Sequence, residues 1–355
     1  MVVNTSGGGI DTSTNGNTDF YIPSVDDGLS PSGGGGSSTS GGNDNNTPDA
    51  VISPDPFWPE NVSPSSSVKL SLLSDLQLTL QEEQYLESLP ENSLILYQMR
   101  AYLDQNNKSP EAKDFIKEAI SAGIEGGEVD FEDRIIYNLS DRPCQDAIIK
   151  SVVGVSSNFT NAINGTFNTN DRVNLKFTSL DIPSGDPART APFPQGSQAS
   201  YSINIQFDNN YLDKATNVSI ASNALHEMVH AYLINLYITS QMSAQSDNYN
   251  DLLNAFIAYY DNQVQDTATT LDNEIHNAMK DFINKLAQSL NQYCIDNNIP
   301  NTDLAFCEKM IWSTMYGTDL FNQVLTPQQQ IEYGNTGAIE QDNNQNYSPK
   351  GTACN

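Results

Sequence analysis

The stretch NALHEMVHAYLINLY constrains the fold more than any other part of the chain, because it sets two histidines and a glutamate in an otherwise apolar helix. Ala224, Leu225, Met228, Val229, Tyr232, Leu233 and Leu236 fall almost all round the helical wheel, and a helix apolar on every side is a buried one. Burying His226, Glu227 and His230 is costly unless something satisfies them. Any fold this chain adopts must therefore place roughly Val218 to Tyr237 at its centre and supply those groups with a partner.

The spacing names the partner. Four residues advance about 400° around a helix and about 6 Å along it, so His226 and His230 leave from one face. That suits two imidazole ligands on one Zn²⁺, at about 2.0–2.1 Å each. Glu227, beside the first histidine, is then placed to take a proton from a water acidified by the metal. With only three histidines in the chain, the pattern H-E-x-x-H would arise by shuffling in roughly one sequence per thousand.

A catalytic zinc usually has three protein ligands and one open position. The extended pattern H-E-x-x-H-x-x-G-x-x-H of metzincins is excluded, since Leu233 and Leu236 occupy its last two defined positions. Glu274, which a gluzincin-like site would use, and His276 are the remaining candidates. Two residues apart on a helix is about 200°, so they point to nearly opposite sides. His276 falls in the apolar arc of Ile275, Ala278, Met279, Phe282, Ile283, Leu286 and Leu290, whereas Glu274 lies outside it beside Asn277 and Asp281. His276 is the expected third ligand, with Glu274 as the alternative.

The segment ALHEMVHAYL followed by a distant histidine on a second helix resembles the SprT-like branch of zincin metallopeptidases. The resemblance covers residues 170 to 290 and rests on His226, Glu227, His230 and His276. It implies a peptide or protein substrate and a strand pairing with it by main-chain hydrogen bonds just before the site helix, for which Tyr201–Phe207 is the natural choice. The long gap from His230 to His276 departs from the pattern, and no zinc ribbon follows, so a DNA-repair role is not carried over. The Asn-rich style is similar to envelope proteins of Bacteroidetes-type bacteria.

Elsewhere the chain divides by composition. Residues 1–67 are rich in Gly, Ser, Asn and Pro and are expected to be a disordered linker or tail, too poor in apolar groups to offset ordering entropy. Residues 68–140 read as a small helical subdomain. In it, Gln84–Leu89 ends at Pro90, Ser93–Asp104 sets Leu94, Tyr97 and Ala101 on one face, and Ser109-Pro110-Glu111 starts a helix packing Phe115, Ile116, Ala119 and Ile120. Residues 141–355 read as the zincin-like domain. A helix is expected over Cys144–Ala162, then two half-buried strands built on Val173, Leu175, Phe177 and on Tyr201, Ile203, Ile205, Phe207. Further helices are expected over Tyr249–Gln263, Thr267–Tyr293 and Asp303–Met315. The expected class is α+β, mostly helical with a small mixed or antiparallel sheet. WSTMYGT (312–318) and SPKGTAC (348–354) are read as completing the core, with no chemistry assigned.

Charge and cysteines narrow the partners. Acidic residues outnumber basic ones 44 to 16, giving a formal charge of −28, which disfavours nucleic acid and anionic lipid surfaces. No run of about 20 apolar residues is present to span a membrane. MVVNTSGGG has no signal-peptide pattern, so an envelope or secreted location implies a signal upstream of Met1. Cys144, Cys294, Cys307 and Cys354 either stay as free buried thiols or form disulfides in one of three pairings; sequence does not choose among these, though Cys294–Cys307, flanking a short Asn/Pro-rich connection, is the more plausible local pair. Oxyanion stabilisation could come from Tyr232, Tyr259, Tyr316 or Arg189. The expected function is zinc-dependent peptide hydrolysis. Two alternatives stay open: an inactive zincin scaffold keeping a structural zinc for binding, and a peptidase effector delivered against other cells.

Overall fold

The computed structural model describes residues 68–168, 173–191, 201–239, 249–261 and 267–354. The linker expected over 1–67 lies outside the described residues. Four helices come first: α1 (Val68–Asp75), α2 (Leu80–Ser88), α3 (Leu94–Gln105) and α4 (Pro110–Ile124). Strands β1 (Glu128–Asp130) and β2 (Ile135–Asn138) follow, then α5 (Pro143–Val153), α6 (Asn158–Asn168) and β3 (Val173–Leu180). Next come β4 (Ala188–Ala191), β5 (Tyr201–Asp208), the one-turn α7 (Asn209–Leu212) and the long α8 (Asn217–Ile238). The remaining helices are α9 (Tyr249–Asp261), α10 (Thr267–Met279), α11 (Ile283–Asp296), α12 (Leu304–Ser313), α13 (Asp319–Val324) and α14 (Pro327–Gln341).

The class is α+β and mostly helical, with one mixed five-stranded sheet in the order β1-β2-β3-β5-β4. The three inner strands are parallel, and the edge strands β1 and β4 run antiparallel to their neighbours. β5 is thus an inner strand, paired on both sides, and cannot receive an extended substrate as an edge. The edge beside the site helix is β4. Alternation in a sequence reports which side chains are buried, not whether a neighbour lies on each flank.

Two apolar clusters pack against the sheet. Helices α1–α4 bury Leu72, Leu96, Met99, Phe115, Ile116 and Ile120, each worth about 1.5–3 kcal/mol when fully removed from water. Ser109 Oγ caps α4 by accepting the Ala112 amide at 3.1 Å, with Pro110 in the first turn. The face of α3 differs from the expected one: Leu96, Met99 and Leu103 are buried and Leu94 is half exposed. Period-two pleating lets β2 serve both clusters, with Ile136 turned to the helical lobe and Ile135 and Tyr137 to the larger core.

The outer face of β3 is covered rather than wet. Asn174 is fully buried, its Oδ1 accepting Arg134 Nη2 at 2.6 Å, and the Arg134 guanidinium lies 5.0 Å from the Phe115 ring centre. Lys176 reaches Glu118 of α4 at 3.6 Å.

The helix expected over Cys144–Ala162 breaks at Gly154, and Ser157 Oγ starts α6 by accepting the Thr160 amide at 3.1 Å. A 3₁₀ turn at Lys280–Phe282 likewise divides the helix expected over Thr267–Tyr293. The disulfide joins Cys144 to Cys354 across 210 residues, while Cys294 and Cys307 remain as buried free thiols, correcting the local pairing expected from sequence. Among the described residues no helix is long and apolar enough to cross a membrane.

Candidate functional site

Helix α8 runs through the larger core and is buried along nearly its whole length. Its start is fixed by Thr216, whose Oγ1 accepts the Ser219 amide at 3.3 Å and donates to the buried Glu340 carboxylate at 2.7 Å. The chain around Cys354 returns to this point. Ala353 bridges to Thr216, Thr352 accepts the Asn217 amide at 2.8 Å, and Gly351 donates to Glu340 at 3.1 Å.

His226 and His230 lie on one face of α8, and His276 reaches them from the last turn of α10. All three are buried. His226 Nε2 stands 3.1 Å from His230 Nε2 and 3.4 Å from His276 Nε2. Together they form a group that could hold a metal ion, with ligand atoms all within 4.8 Å of one another. Two ligands held at 2.0–2.1 Å with tetrahedral angles lie about 3.3–3.4 Å apart, close to the separations found.

Hydrogen bonding fixes the tautomer of His226. Thr314 Oγ1 donates its single proton to Ile311 O at 2.7 Å, so its 2.9 Å contact with His226 Nδ1 must be accepted from an Nδ1–H. The Nε2 lone pair of His226 is then bare and directed into the cluster. His276 Nδ1 sits 3.3 Å from Asp272 Oδ2, four residues back on α10, which favours the same tautomer although alignment is short of a hydrogen bond. Burial, followed by repulsion from neighbouring histidines, holds His226 and His230 well below the usual imidazole range. A bare His226 Nε2 can accept an N–H from a neighbouring ring, and a cation set between the three rings could take a lone pair from each.

Glu227 is buried beside this cluster, and its Oε2 accepts Thr190 Oγ1 of β4 at 2.7 Å. Burial pushes its carboxyl up to about 7, and the Thr190 hydrogen bond partly offsets the rise. The group opens on a cleft of about 940 Å³. The cleft is lined by residues of β4, α8 and α10 and by the segment from the end of α12 through α14.

Of the residues singled out from sequence, His226, Glu227, His230 and His276 come together. Glu274 does not join the cluster; it is half buried and lies 3.4 Å from Asn277 Nδ2. Tyr316 and Arg189 line the cleft, whereas Tyr232 is buried against Phe282 and is not part of its lining. The Tyr259 side chain lies outside the described residues. Thr190, Asp272 and Thr314 were missed. Asp272 carries a readable signal, a carboxylate four residues before His276. Thr314 lies within WSTMYGT, to which the sequence assigned no chemistry, and nothing local marks Thr190. No family model, curated protein or solved structure matches the chain.

Proposed function

We propose that the chain is a zinc-dependent peptidase, with His226, His230 and His276 as metal ligands and Glu227 as general base. With no matching family model, the reading rests on site geometry. The observation that carries it is the convergence of three Nε2 atoms at 3.1 and 3.4 Å next to a buried carboxylate in an open cleft. Three neutral imidazoles suit Zn²⁺. The arrangement, an H-E-x-x-H helix completed by a histidine from a later helix, is the one the SprT-like resemblance implies.

When bound, zinc supplies Lewis-acid chemistry, acidifying a water and polarising a carbonyl. The protein's own residues do the rest. Glu227, held by Thr190, takes a proton from the attacking water as its oxygen bonds to the carbonyl carbon. The same carboxyl then gives that proton to the leaving nitrogen as the C–N bond breaks, leaving a carboxylate and an amine. Thr314 holds the His226 ring so that Nε2, not Nδ1, faces inward, and Asp272, 3.3 Å from His276 Nδ1, favours the same orientation there. On β4, Thr190 ties the edge strand to Glu227 of α8, and the outer edge of β4, which pairs with no strand among the described residues, can receive an extended peptide. The Cys144–Cys354 disulfide supports a location in an oxidising compartment.

The test is elemental analysis with a protein-hydrolysis assay on wild type and Glu227→Gln. One zinc per chain in both, with turnover only in wild type, is the expected result. Turnover that survives in the variant would overturn Glu227 as base. Zinc without hydrolysis of any peptide by wild type would favour the inactive binding scaffold.

A further inference from the structure

The segment from α12 through α14, which lines the cleft together with β4, carries two large apolar side chains in water. Tyr316 is 70% exposed and Ile331 is 67% exposed, and both line the cleft. Tyr316 follows by two residues the threonine that binds His226, which keeps its Cα within about 7 Å of that residue's Cα. Gly317, at φ +86, turns the chain in a conformation suited to glycine. The Tyr316 ring packs edge-on against Phe321, with centres 5.5 Å apart. It also lies over Gly334 of α14, where a Cβ would come within 2.9 Å of it.

Ile331, Gly334, Asn335 and Ala338 form one stripe of α14, and all four line the cleft. Residues three apart on a helix have Cβ positions about 5–6 Å apart, so the ring over Gly334 sits one turn from Ile331. The two apolar groups therefore share one stretch of the lining, with Tyr316 held by Phe321 and Gly334, and Asn335 and Gln341 line the same cleft. An exposed aromatic anchored inside a polar rim is the anatomy of a recognition spot.

Building on the peptidase reading, we propose that Tyr316 and Ile331 form a subsite for a large apolar side chain, such as Leu, Met or Phe, next to the scissile bond of an extended peptide. In this arrangement β4 holds the peptide's main chain, and this pair, lining the same cleft, selects a side chain. Replacing such a residue by alanine in the substrate should cost at least about 10-fold in affinity, since even one methylene in an apolar pocket is worth about 10–200-fold.

The experiment measures binding of two fluorescent peptides, identical except for Leu or Ala at one position, to zinc-loaded Glu227→Gln protein. The same pair is then measured on this protein with Tyr316→Ala, Tyr316→Phe or Ile331→Asn added. Both side chains are mostly exposed, and urea unfolding of each variant checks that loss of the Tyr316 ring from Phe321 leaves the fold intact. The expected result is tighter binding of the Leu peptide by about 10-fold or more, lost with Tyr316→Ala and Ile331→Asn and kept with Tyr316→Phe. Equal binding of the two peptides, or a preference that survives Tyr316→Ala, overturns the subsite. Hydrolysis of the same peptides by wild type is scored separately. A Leu preference with no hydrolysis of any peptide by wild type would refute the peptidase reading and leave Tyr316 and Ile331 as an apolar side-chain site of a binding scaffold.

Discussion

Glu227→Gln in the metal-free protein gives a test of the site's electrostatics that needs no substrate. Burial raises the Glu227 carboxyl from its ordinary 4.5 to about 7. Between these values the folded protein keeps a proton that the unfolded chain has released, so wild-type stability falls as pH rises through the window. At about 1.4 kcal/mol per tenfold change in the acidity constant, the accumulated cost is about 3 kcal/mol above pH 7. Glutamine has no such cost. His226 and His230 have the opposite sign, being depressed by burial, but they are present in both proteins and largely cancel in the difference. Urea unfolding of chelator-treated wild type and variant, from about pH 4 to about pH 8, should show the variant gaining about 3 kcal/mol relative to wild type across that range. Zinc loading should flatten the difference, because a nearby cation favours the carboxylate. A flat difference in the metal-free pair would mean that Glu227 is solvated and ionises normally, which refutes the buried-base argument.

Three further outcomes are expected. His276→Ala should lose zinc and Glu274→Ala should keep one per chain by elemental analysis; the reverse would make this a carboxylate-completed site. Thr314→Val should weaken zinc binding by about 10–100-fold in chelator competition, with Thr314→Ser restoring most of it, and unchanged affinity would refute the tautomer assignment. Cys144→Ser opens a loop of 210 residues and should cost up to roughly 5 kcal/mol of stability in denaturant, whereas identical unfolding with and without reductant would show that the cross-link contributes nothing.

The three-histidine group was legible because its parts obey short-range geometry. Four residues separate His226 from His230, and the helix-face argument that chose His276 over Glu274 needed only the neighbouring apolar arc. Local signals also started α4 at Ser109-Pro110-Glu111. They were available, though unused, for α14, where Thr326-Pro327-Gln328-Gln329 forms a capping box. What escaped depends on distant partners. Asn174 looks like a wet-face residue until Arg134, 40 positions away, covers it. The inner position of β5 is set by β4 closing on its far side. Short separation favoured pairing Cys294 with Cys307, yet loop-closure entropy grows only slowly with length, and the chain bonds Cys144 to Cys354 instead.

The strap across the start of α8 has a consequence for when the site matures. Thr216 is held by Glu340, 124 positions downstream, and Asn217 by Thr352, 135 positions downstream. Contacts this remote form late, whereas the helical lobe of α1–α4 is built mainly from near neighbours and can fold early. During synthesis the helix carrying His226 and His230 therefore waits for residues beyond 350 before its first turn is clamped. Order of assembly thus becomes a safeguard: the centre is completed only after the rest of the core exists around it.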